Sequence, residues 1–207
     1  MGVLKQYFNQ TRKPSGRLGS LMIANMNLGH ARLADWGMQQ LPEASPKQIL
    51  EIGCGGGRNV TRLLQTFPEA RLTAIDYSPL SVQKTEARNR ALVQAGRCTV
   101  LEADVSALPF PTSSFDLATA FETIYFWPGL TECFTQAAKV LKPGGIFLIV
   151  NESDGTDPAS RSFENIIEGM KLYTEEQISE ALRKAGFSSV QAFRHPSKSW
   201  LTVIGRK

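Results

Sequence analysis

The sequence predicts an α/β protein built on a doubly wound, seven-stranded sheet, mostly parallel and finished by an antiparallel C-terminal hairpin. Three observations predict it. From Gln48 onward, short apolar runs alternate with amphipathic helical patterns, as in a parallel sheet covered on both faces. The first run passes through a glycine-packed turn, Ile49–Asn59 (ILEIGCGGGRN), into a helix start. The last two apolar runs are joined by Pro196–Ser199, a link too short for a parallel crossover, so they pair as an antiparallel hairpin.

Each element has its own signal. Gln48–Ile52 is the first strand, and Val60, Leu63, Leu64 and Phe67 then recur at i, i+3, i+4, i+7 in a helix stopped by Pro68. Arg71–Asp76 is the second strand. Ser78 is a good N-cap with Pro79 at the first helical position, and Gly96 closes that helix about four turns later. Glu86 and Arg90 have the spacing of an i, i+4 ion pair. Arg97–Glu102 and Phe115–Phe121 are the third and fourth strands. Thr131 is expected to cap a helix with Phe134, Ala137, Ala138 and Leu141 on one stripe. Lys142–Gly145 ends it before a buried fifth strand, Ile146–Asn151. Thr174 and Gln177 form a capping box before Ile178, Leu182 and Ala185, with Gly186 as the stop. Val190–His195 and Trp200–Arg206 complete the sheet. Residues Leu28–Gln40 read as a further helix, although Gly29 and Gly37 oppose it.

The 207 residues are expected to form a single domain. It divides into an N-terminal arm (1–47), a core (48–151), and a C-terminal part (152–207) that opens with an insertion over 153–172. Arm and insertion are the segments free to cover a pocket. With 42% hydrophobic and 20% charged residues the composition is globular, and no apolar run is long enough to span a membrane. The apolar stretch after Arg17 is too short for a signal peptide. Met1-Gly2 lacks the Ser or Thr that myristoylation wants where Gln6 stands. Three cysteines, Cys54, Cys98 and Cys133, without C-x-x-C spacing argue against disulfides and zinc and for a reducing cytoplasm. The net charge of +4 is concentrated: Lys5, Arg12, Lys13, Arg17 and Arg32 lie in a stretch without one acid.

Glycine tolerates φ > 0, so the turn after the first strand can bring its backbone against a ligand, while the helix behind it offers unpaired N–H groups. A dinucleotide fingerprint wants a third glycine where Arg58 stands, and Glu51 would repel a pyrophosphate. A carboxylate there suits a ligand with an amino group. Asp76 ends the second strand, where an acid can accept from both ribose hydroxyls. Asp104 follows the third strand, where it can accept from an adenine amino group while the Val105 N–H donates to a ring nitrogen. Each acid alone also reads as a turn or cap former. Together Glu51, Asp76 and Asp104 end three successive strands along one rim.

These motifs resemble those of the class I S-adenosylmethionine-dependent methyltransferases, with their Rossmann-like sheet, over about Ile49–Val150. They are most similar to the small-molecule branch that includes ubiquinone/menaquinone C-methyltransferases. EIGCGGG resembles the family's first motif, AIDYS its ribose motif, EADVSALPFPTSSFD its adenine segment, and VLKPGGIFLI the approach to the fifth strand. The resemblance implies S-adenosyl-L-methionine as cofactor. Glu51 and the backbone of Gly53 and Gly55 would then hold the methionine amino group, and Asp76 the ribose. Tyr77, with Ser78 behind it, would pack on adenine, Asp104 and Val105 would read the base edge, and Phe121 would lie near the methionine portion. No metal is called for, since no cluster of acids and histidines stands out in the sequence.

A sulfonium-bound methyl is already activated, so the protein mainly positions a nucleophile in line and excludes water, with a general base where the acceptor needs one. Candidate bases are His30, Glu122, Tyr125 and Tyr7; Tyr125, Phe126 and Trp127 are also candidates to line the acceptor pocket. The expected partner is a small-molecule acceptor, with an anionic one suited to the basic arm, and the expected unit a monomer or homodimer. Competing readings are an RNA methyltransferase using that arm, a cofactor-binding subunit without turnover, and, more distantly, an NAD-dependent oxidoreductase. No [DN]-P-P-[FY] run or Pro-Cys pair marks an enzyme acting on nucleic-acid bases.

Overall fold

The computed structural model describes residues 7–207, so the Lys5 charge and the Met1–Gln6 lipidation signal lie outside the described residues. Seven strands form one sheet: β1 (Gln48–Ile52), β2 (Arg71–Asp76), β3 (Cys98–Glu102), β4 (Phe115–Phe121), β5 (Leu141–Asn151), β6 (Ser189–Arg194) and β7 (Leu201–Arg206). Their order is β3-β2-β1-β4-β5-β7-β6. The first five pair in parallel, and β7 is antiparallel to both β5 and β6, as the short Pro196–Ser199 link requires. Strand order reverses between β1 and β4, and at such a switch point diverging crossovers leave a crevice at the carboxyl ends of the strands.

The central strands are apolar on both faces because both are covered. Leu50, Ala118, Phe147 and Ile149 pack on one side against Phe134 and Ala137 of α6 (Leu130–Val140) and Leu182 of α8 (Glu175–Lys184). Ile49, Leu72, Leu117 and Leu148 pack on the other against Leu33 of α2 (Ala31–Met38) and Val60 and Leu63 of α3 (Arg58–Thr66). Trp127, Phe134 and Phe187 enclose the Phe147 ring at 6.4, 5.6 and 5.9 Å between centroids.

Several expectations shift. The helix read over Leu28–Gln40 is two: α1 (Gly16–Gly29) and α2, separated at His30, whose φ of −90° and ψ of 6° leave the helical region. The sequence reading missed α1 because glycines and asparagines interrupt its apolar pattern. Buried Met22 and Ile23 hold it to the body instead. Gly37 has a packing reason, since a Cβ there would lie 2.4 Å from a methyl of Val150 on β5.

The helix after Ser78 is likewise split, into α4 (Pro79–Arg88) and α5 (Arg90–Gln94), at Asn89. The Asn89 amide donates to the carbonyls of Gly57 and Thr85 and ties the break to the glycine turn. Arg90 falls beyond that break from Glu86, and the two form no ion pair. α6 begins at Leu130 after Gly129, with no side-chain cap, so Thr131 lies inside it rather than before it. The capping box of Thr174 and Gln177 forms as expected. The insertion carries one short helix, α7 (Pro158–Arg161), and a 3-10 turn.

Candidate active site

A cavity of about 310 Å³ opens at the carboxyl ends of β1, β2 and β4, with Ile23, Met26 and Asn27 of α1 over it. Its floor is the glycine turn. The N–H groups of Gly53 and Cys54 both donate to the Ile75 carbonyl, at 2.8 and 3.0 Å, which ties the turn to β2. Gly53 and Gly55 have φ of +82° and +53°, where a side chain would be strained. A Cβ on Gly53 would lie 2.4 Å from the Thr123 hydroxyl, whereas one on Gly55 would meet open space.

Asp76 stands beside this turn. Its Oδ2 accepts from Gly55 N and its Oδ1 from Ser78 N, both at 2.9 Å. Burial raises its pKa, opposed by those two N–H donors. The Ser81 hydroxyl, buried in the same wall, makes no hydrogen bond of good geometry. A buried acceptor fixed by two amides, an unpartnered hydroxyl and a glycine opening into space fit a ribose and the amino-acid chain attached to it. Asp104, Val105 and Tyr77 line the same cavity farther along, and Phe121 closes it beyond Gly53. The Tyr77 hydroxyl donates to the Arg12 carbonyl, with the Lys13 ammonium 5.3 Å from its ring centre.

Asp76→Ala is therefore expected to weaken binding of S-adenosylmethionine at least about tenfold, since a charged partner lost from a hydrogen-bonded pair costs about 1.5–3 kcal/mol. Calorimetric titration checks it, with a thermal melt to separate lost binding from lost folding. Unchanged affinity would remove Asp76 from the ligand.

Four candidates do not reach the cavity wall. Glu51 points behind the turn, where Thr119 donates to its carboxylate, and burial pushes its pKa up to about 8. β1 alternates its side chains, and this position falls on the helix-covered face with Ile49. Ser78 is buried as the cap of α4, its hydroxyl donating to the Pro14 carbonyl at 2.8 Å. The buried Tyr125 donates to Glu122 Oε1 at 3.0 Å; burial first, then the Glu122 charge, raises its pKa well above the ordinary tyrosine value. It is a donor that steadies Glu122. Tyr7 accepts from the Asn25 amide on α1, away from the cavity.

His30 and Glu122 do line the cavity. His30 Nε2 lies 3.5 Å from Glu152 and 3.9 Å from Glu122, and the ligating atoms of all three fall within 4.8 Å of one another. Sequence spacing does not reveal this cluster, because its members lie between α1 and α2, directly after β4 and directly after β5. Burial lowers the His30 pKa, but the Glu152 contact and both carboxylate charges outweigh it and leave the pKa raised. Glu122 holds a φ of +58°, uncommon for a residue with a side chain and typical of strained functional positions. Sequence reasoning missed Glu152 altogether; its one signal is an acid directly after a buried strand. It also missed Asn27 and Thr123, which line the cavity and carry no motif, whereas Arg12 of the basic arm does reach the lining.

Known proteins share part of this chain's sequence and its fold. The methyltransferase-domain family matches residues 49–145. The 27-O-demethylrifamycin SV methyltransferase of Amycolatopsis mediterranei is 27% identical over 88% of this chain, which spans 70% of that protein's length. A chloroplastic 2-methyl-6-phytyl-1,4-hydroquinone methyltransferase of rice, Oryza sativa, is 29% identical over 77% of this chain and 44% of its own. Among solved structures, a methyltransferase chain in complex with the Haloferax volcanii Trm112 activator superposes with a TM-score of 0.80. It is 19% identical, with 91% of this chain and 94% of the other covered. Fold, matched domain and relatives together support a class I S-adenosylmethionine-dependent methyltransferase.

Proposed function

We propose that this protein methylates an oxygen of a small acceptor bearing an ionisable hydroxyl or carboxyl group, with His30 as general base. The observation that carries this reading is the His30–Glu122–Glu152 cluster, whose His30 and Glu122 line the cavity that also offers Asp76 and Asp104. When bound, S-adenosylmethionine supplies a methyl activated by its sulfonium. Asp76 would hold the ribose, Asp104 and the Val105 N–H the base edge, Tyr77 the adenine face, and the Gly53 backbone the amino acid.

Glu152 and Glu122 sit on His30 Nε2, which leaves Nδ1 to take the acceptor's proton as its oxygen approaches the methyl carbon. With the methyl supplied by the sulfonium of a bound S-adenosylmethionine, the acceptor's proton would pass to His30 Nδ1 and stay on the imidazole. Phe126 and Trp127 wall the acceptor space, and Arg12 in the same lining supports an acceptor with negative charge. Three free, buried thiols support a reducing cytoplasm.

The test is methyl transfer from isotope-labelled S-adenosylmethionine to a panel of phenols, hydroquinones, carboxylic acids and amines, with the methylated atom assigned by mass spectrometry and NMR. Oxygen-linked product supports the assignment. Product on amines alone would overturn the oxygen acceptor and the role of His30.

A further inference from the structure

Among the described residues, five large apolar side chains are exposed, and three of them, Leu18, Leu21 and Leu28, belong to α1. Their exposures are 41%, 54% and 82%. A fourth, Phe163, packs edge-to-face on Phe8 in the arm that leads into this helix. The inner face of α1 is already occupied: Met22 and Ile23 are buried, and Gly19 sits so close to the Pro14 backbone that a Cβ would lie 2.8 Å from it. On the outer face Arg17, Leu21, Ala24 and Leu28 follow one another at helical spacing, and all four are exposed. A helix apolar on its second face as well lacks a cover that water does not provide.

Within the arm and α1 themselves the charge is of one sign. Arg12, Lys13, Arg17 and Arg32 are exposed, no acid precedes Asp35, and Asp35 is engaged by Arg58 and Arg62. A second copy of the chain laid on the same face would bring these cations together. An anionic lipid surface would neutralise them while taking the leucines into its interfacial layer. The helix has 14 residues, and no described helix is long and apolar enough to cross a membrane.

We infer that α1 is an interfacial helix that docks this protein, flat and reversibly, on a membrane surface rich in anionic lipid. The inference stands on the outer face of α1 and does not depend on which acceptor the cavity takes. Docking places the cavity's roof at the headgroup layer, where acceptors with a polar reacting end and a long apolar tail are concentrated.

The test is co-sedimentation of the full chain with vesicles of phosphatidylcholine alone or with roughly one-third phosphatidylglycerol. Partitioning is expected to be at least about tenfold stronger onto the anionic vesicles and to fall steeply at about 0.5 M salt. Leu21→Asp/Leu28→Asp is expected to lower it about tenfold or more, with S-adenosylmethionine affinity by calorimetry unchanged, which certifies the fold. Equal or absent partitioning onto both vesicle types, or a double variant that still binds, overturns the inference. So does a dimer in light scattering that the double variant dissociates, which would assign the stripe to a second copy. Failure here with methyl transfer intact leaves the catalytic reading in place.

Discussion

His30→Ala is expected to lower kcat by about a hundredfold or more, the range for loss of a positioned general base, while cofactor affinity shifts far less. The reason is placement: His30 ends α1 at the cavity wall and its Nε2 is engaged by two carboxylates. Initial rates and calorimetric affinity together separate a lost base from a damaged binding site. The pH profile adds a readout that a merely structural histidine would not move. A base must be unprotonated, so kcat/KM should rise with pH up to the His30 pKa, which the carboxylates hold above the ordinary histidine value. Glu152→Gln removes one of them, so the rising limb should move to lower pH and the plateau should drop as the base weakens. A limb that stays in place in Glu152→Gln would show that His30 is not the titrating base. Glu152 acts through His30 in this account and is a positioning residue.

Glu51→Gln is expected to stabilise the protein in a pH-dependent way. Burial pushes the Glu51 pKa up to about 8 from an ordinary value near 4.5, with the Thr119 hydroxyl opposing and the Asp76 charge adding to it. The folded state therefore keeps a proton that the unfolded chain releases above about pH 4.5. Stability falls as pH rises from there to about pH 8 and then levels off. The loss accrues at about 1.4 kcal/mol per pH unit. Glutamine keeps an oxygen for Thr119 and does not titrate. The variant should melt with the parent near pH 4 and above it by roughly 10–20 °C at pH 8. Thermal melts across that range decide it, and a constant difference would show that Glu51 is charged in the fold. Calorimetry on the same variant tests the methionine assignment: a tenfold loss of cofactor affinity would return this carboxylate to the ligand.

The cofactor half of the molecule was legible because its signals are local. β1, β2 and β4 end where alternation and turn residues say they should, and Asp76, Asp104 and the glycines reach the cavity by being at strand ends. The acceptor half was not, because tertiary contacts build it. Residues 16–29 are helical through packing on the body rather than through a clean apolar period. Glu152 joins His30 only once β5 lies beside β4. Glu51 and Tyr125 show the opposite limit. Sequence places them next to the chemistry, but which way a side chain points from a strand end or a 3-10 turn depends on what covers each face. Here both turn inward to hydrogen-bond partners.

The N-terminal arm is fastened to the segment that follows β2: Tyr77 and Ser78 donate to the carbonyls of Arg12 and Pro14. The same short segment carries Asp76, so the latch and the ribose grip are neighbours on one backbone. A ligand hydrogen-bonded to Asp76 would therefore brace the point at which the arm is fastened. Protease cutting near Pro14 is therefore expected to slow when S-adenosylmethionine is present, and limited proteolysis with and without it checks this.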